Sequence, residues 1–206
     1  MCFYTKQTHD AVQIQNRFKA TPEKGAEKAL APREAINGFT YPPVPALIDE
    51  APNRIRALHW GLIPHWAKDT AIRQYTLNAK IETLTEKPSF RDCVNNRCGI
   101  IADGFFEWQW LDVAGKRKQK YLITLPDNGL FAFAGIWSRW SDPQDGRVWH
   151  TCSIITTEAT GLMREIHNRK KRMPVILTPD NEQAWLNGAP LADFARPDVA
   201  LEARPV

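Results

Sequence analysis

Short apolar runs of strand length dominate the chain from Arg56 onward, and charged or turn residues separate them. Runs of this length between turn residues are typical of β-strands. The predicted strands are IRALHWGLI, QYTLNAKIET, CGIIADGFFEWQWL, KYLITL, LFAFAGIW, WHTCSIIT and MPVIL. Helices are predicted at 9–19, 65–72, 158–166 and 180–187, and the proline-rich residues 20–53 are predicted to be irregular. The pattern favours an α+β fold with a mainly antiparallel, barrel-like β core and peripheral helices.

Alternation within two of these strands predicts which side chains share a face, because successive side chains of a strand point in opposite directions. In FFEWQWL, one face carries Phe106, Trp108 and Trp110, and Glu107 lies on the other. In YTLNAKIET, the predicted core face consists of Tyr75, Leu77, Ala79 and Ile81, and the opposite face of Thr76, Asn78, Lys80 and Glu82. For either strand taken alone, a solvated polar face is the alternative interpretation.

Length and composition restrict the class of protein. The chain has 206 residues, 43% of them hydrophobic, so we expect one domain over residues 1–206. It contains no apolar run near the roughly 18 residues that span a bilayer and no apolar secretory signal, so we expect a cytoplasmic protein without a membrane partner, and a monomer. The spacing of Cys93 and Cys98, without nearby histidines, argues against a metal site, and no cofactor is expected.

Two basic clusters hold much of the positive charge, although the formal net charge of +4 is modest. They are KRKQK at 116–120 and RKKR at 169–172. The segment DVAGKRKQ lies between two predicted strands and indicates a hairpin turn, which would place the first cluster at an exposed tip away from any reaction centre. Such clusters are usually solvated loops, but they also suit a polyanion such as nucleic acid.

Four residues form a candidate catalytic set. Removal of the initiator methionine would leave Cys2 at the start of the chain, so that an α-amine and a thiol share one residue. Asn78 faces away from the predicted core face of its strand, Glu107 is turned away from its tryptophan neighbours, and histidine, here His167, is the side chain whose proton can move near neutral pH. The set would supply a nucleophile, an orienting amide, a carboxylate acid or base and an imidazole. Each residue taken alone also has a structural interpretation.

Five motifs follow one another along most of the chain. They are Cys2 behind the initiator, WGLIPHW at 60–66, LNAKIET at 77–83, ADGFFEW at 102–108 and a histidine followed by RMPVIL at 172–177. In order and spacing, from residue 2 to about 187, they resemble the SRAP family, the SOS-response-associated peptidases. The resemblance implies the SRAP fold and a part in the DNA damage (SOS) response at the nucleoid.

The resemblance also implies a reaction. Members of the family crosslink to abasic sites in single-stranded DNA, where the residue matching Cys2 closes a thiazolidine on the sugar aldehyde. The residue matching Asn78 holds the reacting end, the one matching Glu107 moves protons, and the one matching His167 assists ring opening, crosslink reversal or strand cleavage (AP-lyase chemistry). Fork-like DNA junctions are further expected partners. The alternatives are an N-terminal-nucleophile cysteine peptidase that acts on itself or other peptides, and a nucleic-acid-binding module without chemistry.

DNA contacts are expected from a basic channel and from side chains that wedge the strand at the lesion. By resemblance, Lys80 stands where an arginine is frequent, and Tyr4 stands where many members have a phosphate-contacting arginine. The wedge is predicted to involve Trp66 and the region from Asn37 to Phe39. The segment HNRKKRMP is three residues longer than the usual pattern, which leaves Arg169 and Arg172 as candidates for one phosphate contact. We favour Arg172 because it directly precedes Met-Pro.

Overall fold

The computed structural model describes residues 2–206, so the predicted removal of Met1 lies outside the described residues. The strands are β1 (Tyr4–Gln7), β2 (Thr21–Pro22), β3 (Arg33–Asn37), β4 (Pro43–Ile48), β5 (Ala51–Trp60), β6 (Asn78–Lys80), β7 (Arg97–Ala102), β8 (Gly104–Trp110), β9 (Lys118–Thr124), β10 (Phe131–Ser141), β11 (Val148–Glu158), β12 (Arg172–Pro174), β13 (Ile176–Leu177) and β14 (Glu202–Pro205). The helices are α1 (Ala11–Phe18), α2 (Glu27–Leu30), α3 (Gly161–Ile166) and α4 (Glu182–Leu186).

The larger of two sheets closes on itself as a barrel. Strands β5, β4, β7, β10 and β11 follow one another as antiparallel neighbours, and β11 then pairs in parallel with β5 through Thr151–His59 and Cys152–Trp60. Closure removes the unpaired edges that an open sheet of these strands would expose. The predicted α+β fold with a mainly antiparallel, barrel-like core is confirmed.

The smaller sheet has the strand order β14-β9-β8-β1-β3 and packs on the barrel through its inner face. Phe105 of β8 meets Phe133 of β10 edge to face, with ring centroids 5.7 Å apart. Ile123 of β9 and Ile36 of β3 are buried in the same apolar cluster. This contact fixes β8 between the barrel and solvent, so its alternate residues meet two different environments.

Three of the four predicted helices form with shorter bounds, as α1, α3 and α4. The first begins at a capping box, in which Asp10 accepts from the backbone of Gln13 and the Gln13 side chain accepts from the backbone of Asp10. It buries Ile14 and Phe18 one turn apart. The helix predicted at 65–72 is wrong, because this segment is irregular up to a 3-10 helix at Ala71–Tyr75.

The proline-rich segment is more regular than predicted, because 20–53 contains β3, β4, α2 and the start of β5. Pro43 and Pro45 lie in β4 opposite residues of β5, and β4 pairs with β7 only from Ala46 onward. Both prolines, which lack an N–H donor, therefore lie where β4 is paired on one side only. The prediction of an irregular segment failed because proline is compatible with this half-paired position.

The segment 74–83 contains only a short strand, β6, between two 3-10 helices. The 3-10 turn breaks the period of two, so Tyr75 is 76% exposed and Thr76 is buried, the reverse of the predicted faces. Thr76 donates its hydroxyl to the carbonyl of Leu62 at 2.6 Å. Asn78 keeps the predicted position on the face opposite the buried Leu77 and Ala79, and β6 pairs with β11 from this residue onward.

The predicted hairpin is present between β8 and β9, but KRKQK does not all lie at its tip. Lys116 and Arg117 are in the turn, whereas Lys118 and Lys120 belong to β9. The pairing places Lys118 opposite Trp110 and Lys120 opposite Trp108. Part of the first basic cluster thus lies on a sheet face beside tryptophans.

Candidate active site

Cys2 lies in the interior, with no exposed surface. Its carbonyl oxygen accepts a hydrogen bond from Asn78 Nδ2 at 2.8 Å, and its thiol donates to the carbonyl of Tyr4 at 3.9 Å. Asn78 Oδ1 is also buried and accepts no hydrogen bond from residues 2–206. The amide therefore holds the main chain of Cys2 with one end and has an acceptor left at the other.

A close backbone approach holds the residue after Cys2. The amide of Gly38 donates to the carbonyl of Phe3 at 2.9 Å. A Cβ on Gly38 would lie 3.0 Å from the ring of Trp60 and 3.1 Å from the Phe3 oxygen, so a side chain here would push the segment away. Sequence reasoning included Asn37 to Phe39 as a wedge but missed this positioning contact of Gly38.

Glu107 and His167 meet beside Cys2. Glu107 is on the inner face of β8 with only 4% of its surface exposed. His167 ends α3, and its Nδ1 lies 2.7 Å from the carbonyl oxygen and 3.0 Å from the amide nitrogen of Arg172. The other ring nitrogen, Nε2, lies 4.0 Å from Glu107 Oε2. The structure thus brings together all four residues of the predicted catalytic set.

Burial dominates the ionisation of this cluster. It raises the pKa of the Cys2 thiol far above its ordinary value, and the negative charge of Glu107 raises it further. Burial also raises the pKa of Glu107. The same desolvation lowers the pKa of His167 to about 4, helped by the charges of Lys170 and Arg172. At neutral pH the thiol and the imidazole are therefore uncharged.

A groove of about 420 Å³ opens beside Asn78. Its lining includes the exposed Tyr75 and two lysines, Lys80 and Lys87. Trp66, predicted as part of the wedge, is 48% exposed and donates its indole N–H to the carbonyl of Pro88, another lining residue, at 3.3 Å. The groove has the aromatic and basic character that a single nucleic-acid strand requires.

The other predicted wedge residues lie on the Cys2 side of the site. Phe39 is 49% exposed and packs against Phe3, with ring centroids 4.9 Å apart. Asn37 does not reach into the site, because its side chain accepts from the backbone of Phe39 at 3.0 Å and caps the 3-10 helix Gly38–Thr40. Asn37 therefore positions Phe39.

The three predicted phosphate-binding residues differ in availability. Lys80 is exposed at the groove. Arg172 makes a bidentate ion pair with Glu82 at 2.7 and 2.8 Å and donates to the carbonyl of Thr156 at 2.6 Å. Arg169 lies over the ring of Trp110, with its Cζ 4.3 Å from the ring centroid. The structure thus gives no support for preferring Arg172, because both terminal nitrogens of its guanidinium already donate within the protein and its Nε is buried.

Sequence reasoning placed Lys120 too far from the site. The ring of Tyr4 packs edge to face on Trp108 at 5.3 Å, and Lys120 Nζ lies 4.1 Å from the ring centroid of Phe106 and 5.9 Å from that of Trp108. Tyr4 and Phe106 are paired in neighbouring strands, so the ammonium lies close to the position where the family has its arginine. The predicted hairpin register was the signal that would have located it.

Neither a metal-binding cluster nor a membrane-spanning helix is present among residues 2–206. Within residues 2–206, histidines, cysteines and carboxylates form no group of three or more that is arranged to hold a metal ion. None of the helices in this range is both long and apolar enough to cross a membrane.

The family model for SOS response associated peptidase (SRAP) matches residues 1–206. The chain belongs to the SRAP family. Among curated relatives, it is 51% identical over 140 residues to the abasic site processing protein YoqW of Bacillus subtilis (strain 168), covering 68% of this chain and 60% of YoqW. It is 32% identical over 162 residues to the abasic site processing protein HMCES of Xenopus tropicalis, covering 68% of this chain and 47% of HMCES. The match therefore spans less than two thirds of either SRAP relative.

Crystal structures show the same SRAP architecture. A protein from Bacteroides thetaiotaomicron aligns over 100% of this chain and 92% of its own length, with a TM-score of 0.91 and 33% identity. A protein from Bordetella bronchiseptica aligns over 100% of this chain and 99% of its own length, with a TM-score of 0.78 and 23% identity, and this similarity concerns the fold alone.

Proposed function

We propose that this chain processes abasic sites in single-stranded DNA by forming a covalent adduct through Cys2. The observation that carries the proposal is the convergence of Asn78 and Glu107 on Cys2, with His167 beside Glu107. YoqW and HMCES are both named abasic site processing proteins, which supports the processing of abasic sites in general. The adduct would mark or protect the lesion during the DNA damage response.

The reaction needs an aldehyde and both functional groups of Cys2. An abasic deoxyribose opens to an aldehyde. Hydrolysis of the Met1–Cys2 peptide bond, which removes Met1, frees the α-amine of Cys2, and this amine, with an ordinary pKa of about 7.7 to 8.0, is partly neutral and attacks the aldehyde. Water leaves to give an imine. The thiol then adds to the imine carbon while a proton passes to the nitrogen, and a five-membered thiazolidine closes. From the free amine onward one water is released, and no oxidant or reductant is consumed.

The environment of each side chain suits one step of this reaction. Asn78 positions Cys2 through its carbonyl oxygen. Glu107, whose pKa is raised by burial, is suited to protonate the departing hydroxyl and to take the proton of the thiol. His167, whose pKa is lowered to about 4, is a neutral imidazole that assists opening of the sugar and reversal or cleavage of the adduct.

Peptide hydrolysis is the second candidate, and the family name is the observation that favours it. A cysteine peptidase attacks with a thiolate, which active sites stabilise by lowering the pKa of the thiol. Burial and Glu107 act in the opposite direction on Cys2 and raise that pKa. The site therefore supports attack by the amine, followed by closure through a neutral thiol, better than attack by a thiolate.

Intact-mass measurement tests the proposal. The protein is mixed with a single-stranded oligonucleotide that carries one abasic site, and we expect a species equal to the two masses less one water. Matched controls are the undamaged oligonucleotide and an abasic oligonucleotide reduced with borohydride, which has no aldehyde. Acetylation of the α-amine should abolish the adduct. An adduct that forms equally well on the acetylated protein would show that the linkage is not through the amine.

A further inference from the structure

The two basic clusters of the sequence meet at Trp110, outside the proposed reaction centre. Lys118 Nζ lies 4.8 Å from the ring centroid of Trp110, and Arg169 Cζ lies 4.3 Å from it. Within residues 2–206, neither cation forms an ion pair with a carboxylate or donates a side-chain hydrogen bond. Both positive charges therefore remain available to an anion from outside the protein.

The surface around this ring is built and held in place. The side chain of Asn168 accepts from the amide of Trp110 at 3.2 Å and donates to its carbonyl at 2.9 Å. On the hairpin side, Asp112 accepts from the amides of Lys116 and Arg117 at 3.1 and 2.6 Å. The loop after α3 and the hairpin are thus fixed on either side of β8.

Glycine allows the hairpin to close on the tryptophan. Gly115 has a φ of +66°, and a Cβ built on it would lie 2.1 Å from the ring of Trp110. A larger residue would satisfy neither the backbone conformation nor the space. The closed hairpin leaves a cleft of about 380 Å³, lined by Trp110, Leu111, Asp112, Val113, Asn168 and Arg169.

The cleft combines positive charge with exposed apolar surface. Leu111 is 52% exposed and Val113 is 95% exposed. Asp112 is the one acidic lining residue, and its oxygens already accept from the hairpin backbone. A phosphodiester with its base, which needs cations beside an apolar or aromatic surface, fits this combination.

The cleft also lies along the strand edge that leads from Cys2. Strand β1 pairs with β8 at Tyr4–Phe106. Further along β8, the side chain of Asn168 makes hydrogen bonds to the backbone of Trp110. Trp110 lies four residues beyond Phe106 in β8, which is about 13 Å along a strand. A single DNA strand held at Cys2 can therefore continue into the cleft.

We infer that the Trp110 cleft is a second contact site for single-stranded DNA, which binds a nucleotide flanking the lesion. Arg169, which lines the cleft, binds its phosphate, the base lies against Leu111 and Val113, and Lys118 on the Trp110 ring adds positive charge beside the cleft. The inference rests on the proposed function for its ligand, but it concerns non-covalent binding and needs no reaction at Cys2.

Fluorescence anisotropy with an undamaged 15-nucleotide oligothymidylate, over a series of salt concentrations, tests the cleft. We expect Arg169→Gln and Lys118→Gln each to lower affinity about threefold to tenfold and to reduce the salt slope by roughly 0.7 per lost phosphate contact. The matched control is Arg147→Gln, because Arg147 lies 4.3 Å from the ring of Trp149 in the same kind of cation–π contact. This control should keep both the affinity and the slope.

Two results would overturn the inference. One is an unchanged affinity and slope in both cleft variants, which would leave the cleft to another partner such as an acidic peptide. The other is an equal loss in Arg147→Gln, which would reduce the effect to overall charge. Failure of the proposed function is a separate result, namely an unmodified intact mass with abasic DNA while the cleft variants still bind undamaged DNA more weakly.

Discussion

Glu107 and Trp108 are neighbours in β8, yet one is 4% exposed beside Cys2 while the other packs on Tyr4 next to the ammonium of Lys120. The inner face of the strand is desolvated and carries titratable groups with shifted pKa values. The outer face carries aromatic rings with the ammonium groups of Lys118 and Lys120 beside them. Strand alternation therefore separates a desolvated titratable face from a face of aromatic rings and cations by a single residue, and the proposed function assigns proton chemistry to the first and DNA binding to the second. Substitutions on the two faces should therefore affect different measurements.

The largest effect is expected at Cys2. Cys2→Ala should lose the thiazolidine entirely, because the ring cannot close without the thiol, while imine formation by the α-amine remains trappable with borohydride. The control Cys93→Ala changes another buried cysteine and should keep the full yield of adduct. Denaturing gels after heating, with and without borohydride, measure both species. A heat-stable adduct of normal yield in Cys2→Ala would show that the crosslink does not form through the thiol of Cys2.

Glu107 should come next. Glu107→Gln keeps the shape of the side chain but cannot carry the proton, so we expect crosslinking to slow by about 10²- to 10⁴-fold in single-turnover time courses. Binding to undamaged single strands should remain nearly intact, because the carboxyl group is on the inner face. The exposed Glu202→Gln is the charge-matched control. A crosslinking rate equal to that of the wild type would make Glu107 a structural residue of β8.

A smaller effect on the same face is expected at His167. His167→Ala should still form the imine but slow sugar opening and adduct release, by about 10²-fold at the lower end for acid–base residues. Because burial lowers the pKa of His167 to about 4, the part of the release rate that depends on it should stay constant from pH 6 to 8. A rate step near the ordinary histidine pKa of about 6.5 would contradict this environment.

Lys80 and Arg172 separate binding from stability. Lys80→Gln should weaken binding of undamaged strands about threefold to tenfold, because its charge is exposed at the groove. Arg172→Gln should leave that affinity unchanged and lower the free energy of unfolding by about 1 to 2 kcal/mol, since it breaks the bonds to Glu82 and Thr156. Anisotropy and urea unfolding distinguish the two. A loss of affinity in Arg172→Gln, with none in Lys80→Gln, would support Arg172 as the phosphate contact.

The smallest expected effect is on the pH dependence of stability. Burial raises the folded-state pKa of Glu107, so its contribution to stability is fully present below the ordinary glutamate pKa of about 4.3 and is lost as pH rises through the folded value. Glu107→Gln removes this loss, so its free energy of unfolding relative to the wild type should increase between pH 5 and 8. Urea unfolding at matched pH values measures the difference. A difference that stays flat or decreases would show that Glu107 is not desolvated.

Prediction from the sequence succeeded where a local pattern and a local environment agree. The alternation in FFEWQWL placed Glu107 apart from Trp108 and Trp110, because β8 is regular over this stretch. Prediction failed at Tyr75 and Thr76, where a 3-10 turn interrupts the alternation. It also treated both basic clusters as separate loops, because the contact of Arg169 with Trp110 joins residues far apart in the chain.

The sequence by itself determined the family and the barrel-like class of fold, and it predicted the four residues that the structure brings together at Cys2, because these depend on ordered motifs and short-range periodicity. The tertiary structure alone decided which charges remain available. It paired Arg172 with Glu82, 90 residues earlier in the chain, and placed Arg169 on Trp110 without an acidic partner among residues 2–206. It also buried Cys2, Glu107 and His167 together and so shifted their pKa values. Desolvation and ion pairing depend on which distant segments meet when the barrel closes, and no local pattern specifies that meeting.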